Sequence, residues 1–153
     1  MPEVSQAAPD FTLPSTSGED VTLSALRGQP VVLFFYPRDN TPGCTKESIG
    51  FSENRAAFEE AGALVFGISK DSMKSHDKFV AKQNLTVPLL SDEHGSACED
   101  YGVWKEKNMY GKTYMGIERT TVLIAADGTI ARIWPKVKVP GHVDAVLEAV
   151  RAL

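Results

Sequence analysis

A cysteine attacks an electrophile as its thiolate, and the segment Pro37-Arg38-Asp39-Asn40-Thr41-Pro42-Gly43-Cys44 puts one where that form is favoured. Thr41 reads as a helix N-cap and Pro42 as the first helical residue, where its missing N–H costs nothing, so Cys44 falls in the first turn. Unpaired backbone N–H groups and the positive end of the helix dipole stabilise an anion there. Such a sulfur reacts with many partners, so selectivity has to come from groups that orient the target and stabilise the charge leaving it. The other cysteine is Cys98, and two thiols cannot form a framework of several bridges. His94 and Cys98 stand at i and i+4, but a helical pair without a third ligand is a weak metal signal, and no metal is expected. The chain has no phosphate-binding glycine loop, no dinucleotide fingerprint and no Cys-x-x-Cys, so no cofactor is expected either.

The elements that must hold Cys44 alternate along the chain. Short strands at Phe11 to Leu13 and Val21 to Leu23 precede the apolar run Val31 to Tyr36, which has the composition of a strand buried on both faces. The helix begun at Thr41 is expected to end near Gly62. Ala63 to Ser69 reads as a second buried strand, and Asp71 or Ser72 caps a helix with Met73, His76, Val80 and Gln83 or Asn84 on one face. Leu89 and Leu90 lie in a short strand, Ser96 to Tyr101 in a short helix, and Trp104 to Glu118 in a long polar connection. Arg119 to Ala126 and Thr129 to Trp134 flank Asp127-Gly128, a two-residue hairpin signal. A last helix carries Val143, Val146, Leu147, Val150 and Leu153 along one side. The pattern is α/β with an antiparallel hairpin added.

Composition sets outer bounds. With 153 residues, 42% hydrophobic and 24% charged, the chain fits one domain over residues 1–153 with a core of its own. Sixteen basic against twenty acidic residues leave a net charge of −4, so neither nucleic acid nor a membrane surface is an expected partner. No apolar run approaches the roughly 20 residues of a bilayer span, and no secretory signal opens the sequence, which makes the cytoplasm the expected location.

The spacing Pro-x-x-x-Thr-x-x-Cys, realised as Pro37, Thr41 and Cys44, resembles the active-site signature of the peroxiredoxins. The longer string Phe35 to Glu47, the pair Ser91-Asp92 and the segment Lys105 to Lys112 resemble the Q-type, or bacterioferritin-comigratory, subgroup. Gly116-Ile117-Glu118-Arg119-Thr120-Thr121 is similar to the strand that supplies that family's active-site arginine. The resemblance implies a thioredoxin-like fold, with a mixed central sheet flanked by helices and an N-terminal β-extension. It also implies a thiol-dependent peroxidase that reduces hydrogen peroxide and small organic hydroperoxides through a sulfenic acid on Cys44. The chemistry suits the residues: O–O cleavage puts charge on both oxygens, and the Thr41 hydroxyl, the N–H groups near Gly43 and Cys44 and the Arg119 guanidinium are donors for it. Pro37 would shield the sulfur from water, and Glu47 would orient Arg119 through a bidentate pair. Without the resemblance, the alternatives are a cap only for Thr41, a surface ion pair for Arg119 and a solvated helix carboxylate for Glu47.

Many Q-type members carry a resolving cysteine five residues after the first, where this chain has Ile49, or in the stretch like Ser75 to Val80, which has none. Cys98 is therefore read as a packed core thiol, with a resolving role as the alternative. A one-cysteine cycle follows, in which an outside thiol such as glutathione, glutaredoxin or thioredoxin regenerates Cys44. The resemblance further implies a monomer. Phe35, Tyr36, Phe51, Trp104 and Met109 read as core, with an apolar collar for alkyl hydroperoxides as the alternative, and Lys105, Lys107 and Lys112 read as a solvated face.

Overall fold

The computed structural model describes residues 2–153. Strands β1 (Thr12–Leu13) and β2 (Val21–Thr22) pair antiparallel as an N-terminal extension, and a turn of 3-10 helix (Leu23–Leu26) leads into β3 (Val31–Phe35). There follow α1 (Pro42–Glu53), α2 (Arg55–Glu60), β4 (Leu64–Ser69), α3 (Met73–Gln83), β5 (Leu89–Ser91) and α4 (Ala97–Asp100). The chain closes with β6 (Trp104–Met109), β7 (Lys112–Ile117), β8 (Thr120–Ile124), β9 (Ile130–Trp134) and α5 (His142–Arg151). The central sheet has the order β5-β4-β3-β8-β9, with β3 parallel to β4 and antiparallel to β8.

Side chains alternate across β3, and each face covers a separate core. Leu33 and Phe35 join Ile68, Leu13 and Tyr101 under the extension and α4, whereas Val32, Phe34 and Tyr36 join Phe51, Phe79 and Val146 under the helices. All five residues of β3 are buried, which explains the unbroken apolar run. Each large side chain withdrawn from water contributes roughly 1.5–3 kcal/mol, so this central strand anchors the molecule.

Four expectations change. The helix from Pro42 does not run unbroken to Gly62: α1 ends at Glu53, Asn54 leaves helical geometry at ψ 6° while its backbone N–H at 3.2 Å and its side-chain amide at 2.8 Å both donate to the Gly50 carbonyl, and α2 starts at Arg55. The segment Trp104 to Glu118 is a hairpin, not a connection; Tyr110 and Gly111, both at positive φ, form its two-residue turn. Its strands pair only with each other, and their apolar residues, Trp104 and Ile117 at the core end and the exposed Met109, Tyr114 and Met115, follow no alternation. At Asp127-Gly128 the loop is longer than two residues: Gly128 donates to the Ala125 carbonyl and takes a left-handed φ of 90°, with a register shift in the ladder beside it. Leu153 lies beyond the end of α5 and is exposed, so the apolar side of that helix stops at Val150.

Candidate active site

The antiparallel pairing of β3 with β8 sets Phe35 opposite Thr120, so the end of β3 and the start of β8 meet at one edge of the sheet. The chain leaves β3 through Tyr36 and the exposed Pro37, and Asn40 adopts a left-handed φ of 62° before α1 begins. Asparagine tolerates that conformation better than most residues. Cys44 is therefore delivered into the first turn of α1 beside the residue that precedes β8, Arg119.

Arg119 lies just outside the strand expected to contain it, with its carbonyl accepting from the Val137 N–H at 2.9 Å. Its guanidinium reaches back across the sheet edge. Nη2 donates to Cys44 Sγ at 3.2 Å and Nη1 donates to Glu47 Oε1 at 2.7 Å. Cys44 is 1% exposed and Glu47 fully buried, one helical turn apart on the same face of α1. Gly43 makes room: a Cβ built there would stand 3.1 Å from Arg119 Nη2. The expected bidentate pair is replaced by one hydrogen bond, because Glu47 Oε2 is buried without a partner.

Electrostatics follow from this packing. Burial pushes the Glu47 carboxyl up to about 7, an effect that the Arg119 charge reduces but does not cancel. Burial pulls the Arg119 guanidinium down, and Glu47 and Cys44 more than reverse this, so it is held above the ordinary arginine value. His142, at the start of α5, packs edge-on against Phe51 and Trp134, with Nε2 2.7 Å from the Thr121 hydroxyl. Burial and the Arg119 charge push it down to about 4, so it is neutral at pH 7. Lys107 is half-buried rather than fully solvated, and burial and the Arg119 charge lower it.

Thr41 occupies the N-cap position of α1 but does not cap it through its side chain. The hydroxyl donates instead to the Arg38 carbonyl at 2.9 Å. Its single proton is thus committed, and what it can offer a ligand is a lone pair, not the donor expected.

Beneath this loop lies a buried polar network that sequence reasoning missed. Asp39 accepts from the Tyr36 hydroxyl at 2.7 Å and the Ser75 hydroxyl at 2.8 Å, and its Oδ2 lies 2.7 Å from His76 Nδ1. His76 Nε2 faces the Leu90 carbonyl at 2.9 Å, so both ring nitrogens face acceptors. Burial would raise the Asp39 carboxyl, yet the His76 contact and the hydroxyls hold it below the usual range. The available signal was His76 itself, a polar residue on the apolar face of α3. Asp39, Asp71 and His76 present ligand atoms within 4.8 Å of one another, but those atoms are engaged in hydrogen bonds within the protein.

Cys98 is fully buried in the core on the other face of the central sheet from Cys44. Its thiol is pushed far up by burial and by Asp92, which accepts from the Cys98 N–H at 2.8 Å. His94 is exposed against Glu93 and does not join Cys98. Of the apolar side chains weighed as a collar, only Tyr36 and Phe51 share the core of Cys44, where they pack as buried core residues. Phe35 belongs to the core opposite Cys44, Tyr36 and Phe51 are fully buried, Trp104 lies under Lys70 Nζ at 5.2 Å, and Met109 is exposed on the hairpin.

A family model described as AhpC/TSA matches residues 4–133. The chain is 54% identical over 145 residues to a putative peroxiredoxin bcp of Coxiella burnetii, covering 95% of this chain and 96% of that protein. It is 47% identical over 150 residues to peroxiredoxin Bcp of Xanthomonas campestris, covering 98% and 94%. Among solved structures, it superposes on the X. campestris bacterioferritin comigratory protein, studied for alkyl peroxide reduction, with a TM-score of 0.88 at 47% identity, covering 93% and 90%. A cysteine mutant of Xylella fastidiosa PrxQ gives a TM-score of 0.92 at 41% identity, covering 98% and 96%. Among the described residues, no helix is long and apolar enough to cross a membrane.

Proposed function

Because the chain belongs to the AhpC/TSA family, with the thioredoxin-like fold and thiol-dependent peroxidase activity of its peroxiredoxin Bcp members, we propose that Cys44 is its peroxide-reducing cysteine. One observation carries this reading: a single guanidinium, that of Arg119, contacts both Cys44 Sγ at the start of α1 and the buried Glu47. The Cys44 thiolate attacks the terminal oxygen of the hydroperoxide, an S–O bond forms as the O–O bond breaks, and the leaving oxygen takes a proton to depart as water or an alcohol. Arg119 and the N–H groups of the first turn stabilise the charge passing from sulfur to oxygen. Thr41, its own proton held by Arg38, accepts a hydrogen bond from the peroxide O–H and so aligns the O–O bond with the sulfur.

Gly43 keeps the guanidinium close to the sulfur, Glu47 holds its other end, and Pro37 limits access of water at the mouth of the loop. The Cys44 sulfenic acid condenses with an outside thiol, water leaves, and a second thiol releases Cys44 by exchange. The placement of Cys98 on the opposite face supports this one-cysteine cycle, since a disulfide needs Cα atoms within roughly 7 Å. On this reading the whole chain is one catalytic domain, working in the cytoplasm as a monomer reduced by glutathione, glutaredoxin or thioredoxin. Peroxide consumption with a supplied thiol tests it: Cys44→Ser should abolish turnover and Arg119→Ala should slow the peroxide step by about a hundredfold, the scale of losing one charged donor at a reacting centre. Wild-type kinetics in either variant would overturn the assignment.

A further inference from the structure

We infer that Asp71 is a positioning residue for the peroxide step, setting the Thr41 hydroxyl by gripping the far end of the peptide unit to which that hydroxyl bonds. The inference rests on the proposed role of Thr41 as acceptor for the peroxide proton. The peptide between Arg38 and Asp39 is a rigid plane. Its carbonyl accepts from Thr41 Oγ1 at 2.9 Å, and its N–H donates to Asp71 Oδ2 at 2.8 Å. The orientation of one end therefore dictates that of the other.

Asp71 is itself firmly held. Its Oδ2 accepts from the Ser69 hydroxyl at 2.6 Å, its N–H donates to Ser69 Oγ at 3.1 Å, and its carbonyl accepts from the Ser91 hydroxyl at 2.6 Å. Those contacts tie it to the ends of β4 and β5, within the central sheet. The Asp39 side chain, clamped by Tyr36, Ser75 and His76, fixes the same peptide from the other side of the Cα. Thr41 has one proton, directed at Arg38, so the plane of that carbonyl decides where its lone pairs face. The sheet thus aims a hydroxyl on the neighbouring loop through a single amide.

A double-mutant cycle tests this, with the rate constant for hydrogen peroxide oxidising reduced Cys44 as one readout and the rate of Cys44 alkylation by iodoacetamide as the other. Alkylation needs a reachable sulfur but no acceptor on Thr41. Asp71→Ala should slow the peroxide step about tenfold, equivalent to about 1.4 kcal/mol, and change alkylation less than twofold. Asp71→Asn, which keeps an acceptor oxygen, should restore most of the loss. In a Thr41→Val background, Asp71→Ala should add nothing. Ser69→Ala, which frees the carboxylate without removing it, should give a smaller loss of the same kind and covers the case in which Asp71→Ala fails to fold. A full tenfold loss persisting in the Thr41→Val background, or equal losses of peroxide and alkylation rates, would overturn the relay. Wild-type peroxide rates in Asp71→Ala, or in Ser69→Ala where that stands in, beside a slow Thr41→Val would overturn it alone. A wild-type rate in Thr41→Val would overturn the proposed role of Thr41 first and the relay with it.

Discussion

Replacing Gly43 with Ala should slow the reaction while leaving stability within about 1 kcal/mol of wild type, two effects that a generally damaging substitution would not separate. Gly43 lies in the first turn of α1, and glycine there costs up to about 1 kcal/mol relative to alanine through the freedom it has in the unfolded chain. Against that, the new Cβ would stand 3.1 Å from Arg119 Nη2, a separation at which the neighbour must give by a few tenths of an ångström. Glu47 holds the guanidinium at its other end, so the yielding contact is the one to Cys44 Sγ, now 3.2 Å. Lengthening that contact by about 0.3 Å at an effective dielectric of ~20 costs about 0.5 kcal/mol of attraction. The poorer hydrogen bond costs about as much again, for a total near 1 kcal/mol. The peroxide rate constant should fall about fivefold. Stopped-flow oxidation by hydrogen peroxide measures the first effect and urea unfolding the second. An unchanged or faster peroxide step in a folded Gly43→Ala variant would refute the claim that the reaction depends on this close approach.

Cys98→Ala should leave turnover with a small thiol within about twofold of wild type, at a stability cost of about 1 kcal/mol for the lost sulfur packing; collapse of turnover in a steady-state assay would restore Cys98 to the cycle. Glu47, with its carboxyl raised to about 7 in the fold, binds a proton between its unfolded value near 4.5 and pH 7, so its contribution to stability falls as pH rises through that window. Unfolding free energies at pH 5 and pH 8 should therefore differ less in that direction in Glu47→Gln, by up to about 3 kcal/mol. His142 has the opposite slope: lowered to about 4, it stays neutral while the unfolded chain takes up a proton, so stability is lost as pH falls from about 6.5 to 4. His142→Asn should flatten that acid limb in the same titration.

The strand run Val31 to Phe35, the helix start at Pro42 and the place of Cys44 in the first turn behind it were legible in the chain because each rests on neighbours in sequence: an apolar run, a proline at a first turn, a short spacing. The hairpin β6–β7 was not, since strands that pair only with each other need no apolar face and so leave no periodic trace. The break at Asn54 is a change of backbone conformation at one residue, with its amide and its backbone N–H sharing the Gly50 carbonyl, and no spacing of side chains announces it. At the site, resemblance nominated Arg119 and Glu47, but their single hydrogen bond and the unpartnered Oε2 depend on how β8 approaches α1. The Thr41 proton and the Asp71 grip depend likewise on the angle of one peptide plane. Reactivity of a sulfur at a helix start is a local property and can be written into a few consecutive residues. Placing a guanidinium 75 positions away within hydrogen-bond reach of it requires two antiparallel strands to register correctly, and that is settled only by the packing of the whole sheet.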